Sequence, residues 1–329
     1  MARNQLSDEL NNAIYLRTIF LVYGKVGNRL CADLIDMNND IGIVYVATKL
    51  ERYAVEAFLS ATSAKDLMPD VPITLYTNLL DSTFVQDDCF DSVVPIDSID
   101  RYRSKWAEGQ LDRIRCLPES PYERTLHLDA DTRIVSPDVR RIFDELDSAD
   151  IAMVECETDN SFSRRHYGKR MFNVGFILFR RSERINRLFK QWAELSAEHF
   201  TAASQDSIPP LPYMSHLGDQ DLQRRLLFMD QISLVQIMNP ETNSFDLRCK
   251  ILHESWNYRG AAPDRPLDQP LRINHQPALR KQLDGDALKV GLRYLERGNR
   301  QRALEIFQCF SDHAPDNPRL KRLVESCKG

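Results

Sequence analysis

The sequence predicts an α/β fold: a mixed, mainly parallel sheet flanked by helices, plus a small helical hairpin at the C-terminal end. Three observations carry this reading. From Ile41 onward, short apolar runs rich in Val, Ile, Leu and Tyr alternate with segments of helical period, the pattern of strand–helix–strand units. One such run, Tyr122-Glu-Arg-Thr-Leu-His-Leu-Asp-Ala-Asp-Thr132, ends in two closely spaced carboxylates, and open α/β sheets bind ligands beyond their strand ends. After Leu283 the strands stop and only helical spacing is left.

In chain order, Ser7 to about Asn38 reads as helical, with Ser7 as its N-cap. Ile41-Gly-Ile-Val-Tyr-Val-Ala47 is a buried first strand. Glu51 to Leu67 has helical spacing through Tyr53, Val55, Phe58, Leu59 and Thr62. Pro72–Tyr76 and Asp91–Ile96 are the second and third strands, and Lys105–Leu117 is a helix closed by Pro118 and Pro121. Leu126–Asp129 is the fourth strand, while Ile151–Val154 and Val174–Phe179 add two more. Ile185–His199 and Asp219–Leu227 are helices, separated by a Ser- and Pro-rich surface loop over Ser204–Ser215 of the kind that forms lids.

The tail has its own pattern. Ala287, Gly291, Tyr294, Gly298, Ala303, Phe307 and Pro315 fall at the spacings of one tetratricopeptide unit, which spans about 34 residues. Phe310 departs from it, standing close to where the repeat has a small residue. A single repeat cannot bury its own face, so the expectation is that it packs on the preceding domain, on a second copy of the chain, or on a partner. The domain boundaries read from these shifts are residues 1–39 (helical extension), 40–282 (sheet domain) and 283–329 (hairpin).

Composition narrows the function. With 329 residues, a net charge of −5 and no long basic block, the chain is no nucleic-acid binder by its charge pattern. Its 7 cysteines are scattered, with no CxxC pair, which argues against a disulfide framework or a zinc site and favours a reducing, cytoplasmic setting. Asp8 and Glu9 stand where a secretory signal needs positive charge. The apolar stretch from Ala13 to Val26 is interrupted by Arg17 and Lys25 and is too short to span a bilayer. It reads as an amphipathic helix packed on the domain, so membrane contact is at most peripheral.

Asp129-Ala130-Asp131 is the most informative motif. Strand side chains alternate with period two, which would put both carboxylates on one face. Two carboxylates together repel unless a cation neutralises them, and hard cations such as Mg²⁺ or Mn²⁺ suit oxygen ligands and phosphate partners. The plain alternative is a turn in which both aspartates bond backbone N–H groups.

Taken together, these residues resemble the nucleotide-diphospho-sugar transferases, the glycosyltransferases of the GT-A fold, with most likeness to family-eight-type enzymes. The resemblance covers about Ile41 to Gln276 and rests on an ordered series: Val44-Tyr-Val-Ala-Thr48, the Asp129–Asp131 segment, Phe172-Asn-Val-Gly-Phe-Ile-Leu-Phe179, Gly218-Asp-Gln-Asp221, Trp256-Asn257 and Ile273-Asn-His-Gln276. It implies a transferase that moves a sugar, a hexose from UDP by likeness, from a nucleotide-diphosphate donor to a glycan, lipid or protein acceptor. Asp129, Asp131 and His275 would hold Mn²⁺ or Mg²⁺, with His253 the competing histidine. The family's usual Gly and Lys-Pro-Trp after the histidine are missing: Gln276-Pro277 follows, and only Lys281 lies nearby.

The same resemblance distributes the other roles. Ala47, Thr48 and Asn78 would meet the nucleoside, with Tyr53 stacking on its base or, plainly, filling the core. Arg113 would fork onto a phosphate or lie on a solvated helix face. Ala130 would belong to the donor site, and Asn173 and Gly175 would border the donor sugar, Gly175 by permitting close backbone approach. Asp219, Gln220 and Asp221 would position or activate the acceptor, the plain alternative for Asp219 being helix N-capping. Trp256 and Asn257 would line the acceptor side. Retention or inversion is left open.

Two other functions compete. Haloacid-dehalogenase-type phosphatases also carry Asp-x-Asp at a strand end, but they want a threonine where Arg133 stands. A non-catalytic scaffold docking through the C-terminal helices is the other, and the intact Asp129, Asp131, Asn173 and Asp219 speak against it.

Overall fold

The computed structural model describes residues 40–86, 88–102, 104–156, 171–205, 218–238, 245–259, 267–275, 280–313 and 317–328. The predicted N-terminal helix, nearly all of the predicted lid, and Gln276-Pro277 lie outside them.

The strands are β1 (Ile41–Ala47), β2 (Ile73–Thr77), β3 (Ser92–Pro95), β4 (Arg124–Leu128), β5 (Thr132–Ile134), β6 (Ile151–Glu155), β7 (Phe172–Arg180), β8 (Cys249–Leu252) and β9 (Ile273–His275). The helices are α1 (Glu51–Leu67), α2 (Lys105–Cys116), α3 (Glu183–Ser204), α4 (Gln220–Leu227), α5 (Asp230–Ile237), α6 (Arg280–Glu296), α7 (Arg300–His313) and α8 (Pro318–Lys328). Seven strands form one sheet in the order β3-β2-β1-β4-β7-β6-β8. β7 pairs antiparallel with β4 and β6, and the other pairings are parallel. The fold is the mixed, mainly parallel sheet that the alternation predicts.

The elements the sequence reading passed over have local reasons. β8 buries only Leu252 of its four residues, so it carries no apolar run. α5 follows α4 with only Phe228 and Met229 between and reads as its continuation. β5 and β9 are three residues each, and neither exists without the other: they pair as a separate antiparallel ribbon, Thr132 opposite His275 and Ile134 opposite Ile273.

Caps fix several helix starts. Ser104 Oγ accepts from the Ala107 N–H at 3.2 Å and Ser182 Oγ from the Ile185 N–H at 3.2 Å, satisfying donors that a helix cannot pair internally. α1 starts differently. Lys49 takes a left-handed φ of 75°, a conformation that costs a non-glycine residue about 1–2 kcal/mol. Its N–H donates to Asn78 Oδ1 at 3.0 Å, and its buried ammonium pairs with Glu108 at 3.3 Å and reaches the Ile99 carbonyl. The tight exit from β1 is thus held from β2 and α2.

The sheet is buried on both faces. Ile43, Tyr45, Leu126, Leu128, Phe176 and Leu178 share a core with α1, a 3₁₀ segment over Pro137–Asp147 and the C-terminal helices. On the opposite face Met153, Ile177 and Phe179 pack with Phe189 and Trp192 of α3 and Leu234 of α5. Among the described residues the tail adds a third helix to the expected hairpin: α8 packs on α7 through Leu320, Val324 and Cys327. Arg302 of α7 lies over the Phe58 and Phe84 rings at 5.5 and 5.1 Å and donates to the Thr83 carbonyl at 2.7 Å. No described helix is long and apolar enough to cross a membrane.

Candidate metal centre

Chain direction in the sheet sets the location. β1 leads outward to β2 and β3, and β4 returns to the other side of β1. That reversal opens a crevice beyond the carboxyl ends of β1 and β4, the usual ligand position in such sheets. Ala47 and Thr48 lie buried at the end of β1, and Asp129 follows β4.

The two carboxylates converge by a turn, not by strand alternation. β4 stops at Leu128, and Asp129-Ala130-Asp131 bends back into β5. The Thr132 N–H and Oγ1–H both donate to the Asp129 carbonyl, at 3.2 and 2.8 Å. A buried hydroxyl chain backs that turn: Tyr45 Oη, Ser60 Oγ and Thr132 Oγ1 are spaced 2.9 Å apart at each step. Because Thr132 donates to a carbonyl, it must accept from Ser60, which must accept from Tyr45. The direction of every hydrogen is set.

β9 then brings the third group. His275 pairs across the ribbon from Thr132, which places its Nε2 3.1 Å from Asp131 Oδ1 and 3.9 Å from Asp129 Oδ2. Asp129, Asp131 and His275 each offer a ligand atom within 4.8 Å of the others. Asn257 Oδ1 lies 2.8 Å from His275 Nδ1. As the acceptor there, it fixes the proton on Nδ1 and leaves the Nε2 lone pair facing the carboxylates. His253 is engaged elsewhere: its Nε2 is 2.7 Å from Asp268, and its Nδ1 accepts from the Ser255 N–H at 3.1 Å.

Charge around Asp129 is heavily organised. Burial pushes its carboxyl towards protonation, but the Arg113 guanidinium, with His127 and His275 nearby, holds it far below the usual carboxylate range. Arg113 Nη1 donates to Asp129 Oδ1 at 2.5 Å, and its other terminal nitrogen pairs with Asp230. Arg113 is therefore not on a solvated helix face; it is buried between two carboxylates. Glu56, half-buried on α1, has its carboxyl raised to about 7 by burial and by the charges of Asp131 and Asp129.

Gly175 closes one wall. Its carbonyl accepts from the Asp129 N–H at 2.8 Å. A Cβ there would stand 2.6 Å from His275 Cε1 and 2.7 Å from Asp129 Cγ, so only glycine fits without displacing the site. The β6–β7 register shifts beside it, between Met153 and Glu155. Irregularities of this kind re-aim side chains next to sites. Asn173 Oδ1 accepts from the Gly175 N–H at 2.9 Å, while its buried Nδ2 has no partner among the described residues.

The remaining expected residues are placed as follows. Asn78 is exposed and holds the Lys49 backbone. Tyr53 is half-buried, with the Arg52 guanidinium 4.7 Å above its ring. Trp256 is buried beneath Arg272, whose guanidinium lies 4.5 Å from the ring. Asp219 caps α4, accepting from the Asp221 and Leu222 N–H groups at 2.8 and 3.2 Å, and Asp219, Gln220 and Asp221 are exposed. The sequence reading missed Asp230. The signal was present, since Asp230-Gln231 repeats the Asp-Gln of 219–220, but only the fold shows which of the two faces Arg113.

No protein-family model and no curated protein matches the sequence. Among solved structures the chain is similar to the galactosyltransferase LgtC, solved in complex with donor and acceptor sugar analogs, at 14% identity and a TM-score of 0.44, over 72% of this chain and 87% of that one. It is similar to the bifunctional glycosyltransferase WbbM at 12% identity and a TM-score of 0.46, over 73% of this chain and 46% of that one. It is also similar to the glycosyltransferase GlyE of Streptococcus pneumoniae TIGR4 at 16% identity and a TM-score of 0.42, over 72% of this chain and 54% of that one. The chain thus spans about half the length of the latter two.

Proposed function

We propose that the chain is a metal-dependent glycosyltransferase of the GT-A type, moving a hexose from a UDP-type donor to a glycan, lipid or protein acceptor. The observation that supports this most is the convergence of Asp129, Asp131 and His275 at the sheet's reversal point. Two carboxylates and one imidazole nitrogen suit Mn²⁺, with Mg²⁺ second because it prefers all-oxygen shells. When bound, the cation would supply Lewis-acid stabilisation of the departing nucleoside diphosphate.

The chain's own residues do the rest. Asp129 and Asp131 hold the ion, and Asn257 keeps the His275 Nε2 lone pair directed at it. Ala47, Thr48, Asn78 and Tyr53 receive the nucleoside beyond β1 and β2. Ala130 belongs to the donor site, and Asn173 and Gly175 border the donor sugar, with Asn173 Nδ2 as a donor to a sugar hydroxyl. Asp219, Gln220 and Asp221 handle the acceptor, and Trp256 flanks it. We assign the transferase domain to residues 40–282, in the cytoplasm, and the tetratricopeptide-like helices over 283–329 to packing on that domain, with a partner or a second copy as their further contact.

The test is calorimetric titration with UDP, GDP and their sugars, with and without Mn²⁺, on the wild type and Asp131→Ala. Metal-dependent binding of one nucleotide, lost in the variant, is the expected result. Absence of binding by every nucleotide in the presence of Mn²⁺ sinks the transferase reading.

A further inference from the structure

We propose that Asp230 is a positioning residue that sets the charge of the metal centre through Arg113, a role that rests on the metal-site reading above. Arg113 bridges two carboxylates, Asp129 Oδ1 at 2.5 Å and Asp230 on its other arm. The guanidinium and both carboxylates together carry a net charge of about −1 when all three are ionised. Without Asp230, Arg113 and Asp129 form a closed, neutral pair, and Asp131 is left as the one uncompensated carboxylate among the three ligand groups. Asp230 therefore lets Arg113 orient Asp129 without cancelling the charge that a divalent cation needs.

The structure holds Asp230 in place for this. Its backbone N–H donates to Gln110 Oε1 of α2 at 3.3 Å, and its carbonyl accepts from Trp192 Nε1 of α3 at 2.8 Å. Trp192 is fully buried. Three helices thus fix the carboxylate, whose side chain is only 3% exposed. Its place in the first turn of α5 suits an acidic residue through the helix dipole, but that alone gives no reason for a buried guanidinium to be shared with Asp129.

The test is direct Mn²⁺ binding to the full chain, read by the loss of the free-ion electron paramagnetic resonance signal, with no nucleotide or sugar present. Asp230→Asn is expected to bind Mn²⁺ roughly 10- to 100-fold more weakly, the range for groups that support metal ligands from behind. Arg113→Gln/Asp230→Asn restores the charge of about −1 and is expected to recover most of the lost affinity. A merely structural role for Asp230 would not be rescued by a second buried change. Unchanged Mn²⁺ affinity in Asp230→Asn, or a double variant no tighter than the single, overturns the proposal. If Asp230→Asn does not fold, the double variant decides alone: near wild-type affinity supports the charge argument, and weak binding refutes it. A wild type that binds Mn²⁺ but turns over no nucleotide sugar removes the transferase reading and leaves this inference standing; a wild type that binds no Mn²⁺ removes both.

Discussion

His275 Nδ1 and Asn257 Oδ1 lie 2.8 Å apart, both side chains buried, and this one contact decides which imidazole nitrogen faces Asp129 and Asp131. Asn257→Ala frees the ring to rotate or change tautomer. The expected outcome is Mn²⁺ affinity lowered roughly 10- to 100-fold with the fold intact by circular dichroism. Equal affinity in the two proteins would show that Asn257 does not orient the ligand.

Gly175→Ala tests the wall of the site. The added Cβ would crowd His275 Cε1 at 2.6 Å and Asp129 Cγ at 2.7 Å, so both groups must move. Overpacking of this kind costs about 1–3 kcal/mol, and metal-dependent nucleotide binding is expected to disappear. A variant that keeps full stability and full binding would mean that the centre tolerates displacement.

The hydroxyl chain behind the turn offers a stability test. Ser60→Ala removes the acceptor of the Tyr45 hydroxyl and the donor to Thr132. Leaving a buried hydroxyl unpaired costs about 1–3 kcal/mol, read as a shift in urea midpoint. Tyr45→Phe/Ser60→Ala removes that stranded hydroxyl too and is expected to cost less than the two single changes added together. Strict additivity would show that the three hydroxyls do not act as a chain.

The buried His199 and the half-buried Glu56 give opposite pH slopes. Burial lowers the His199 imidazole to about 4, so between pH 4 and about 6.5 the unfolded chain binds the proton that the native state refuses. His199 then makes stability fall as pH drops through that window, by roughly 3 kcal/mol in all. Glu56, raised to about 7, holds a proton in the native state that the unfolded chain has released, so its contribution falls as pH rises from about 4.5 to 7. Urea midpoints at pH 4.5 to 7.5 should show His199→Gln flattening the acid side and Glu56→Gln flattening the neutral side. Variants whose curves run parallel to wild type would contradict both assignments.

The Asp-x-Asp motif was legible in the sequence because its chemistry is local: an apolar run delivers the two carboxylates to a strand end whatever the rest of the chain does. Its geometry was not, since period-two alternation stops at Leu128 and the turn closed by Thr132 brings Asp131 round. His275 could be named but not chosen over His253, because the choice rests on a three-residue ribbon with no apolar signal of its own.

By itself the sequence determined the sheet class, since the strand and helix periods are set by residues close along the chain, and it named most of the groups around the candidate centre. Tertiary structure alone decided that Arg113 lies between Asp129 and Asp230, that Asp230 rather than Asp219 faces it, that Asn257 holds His275, and that the C-terminal helices share a core with α1. Each of these pairings joins residues far apart in the chain. Their strength comes from burial and from charges meeting out of water, and neither exists until the sheet has formed and the helices have closed over it.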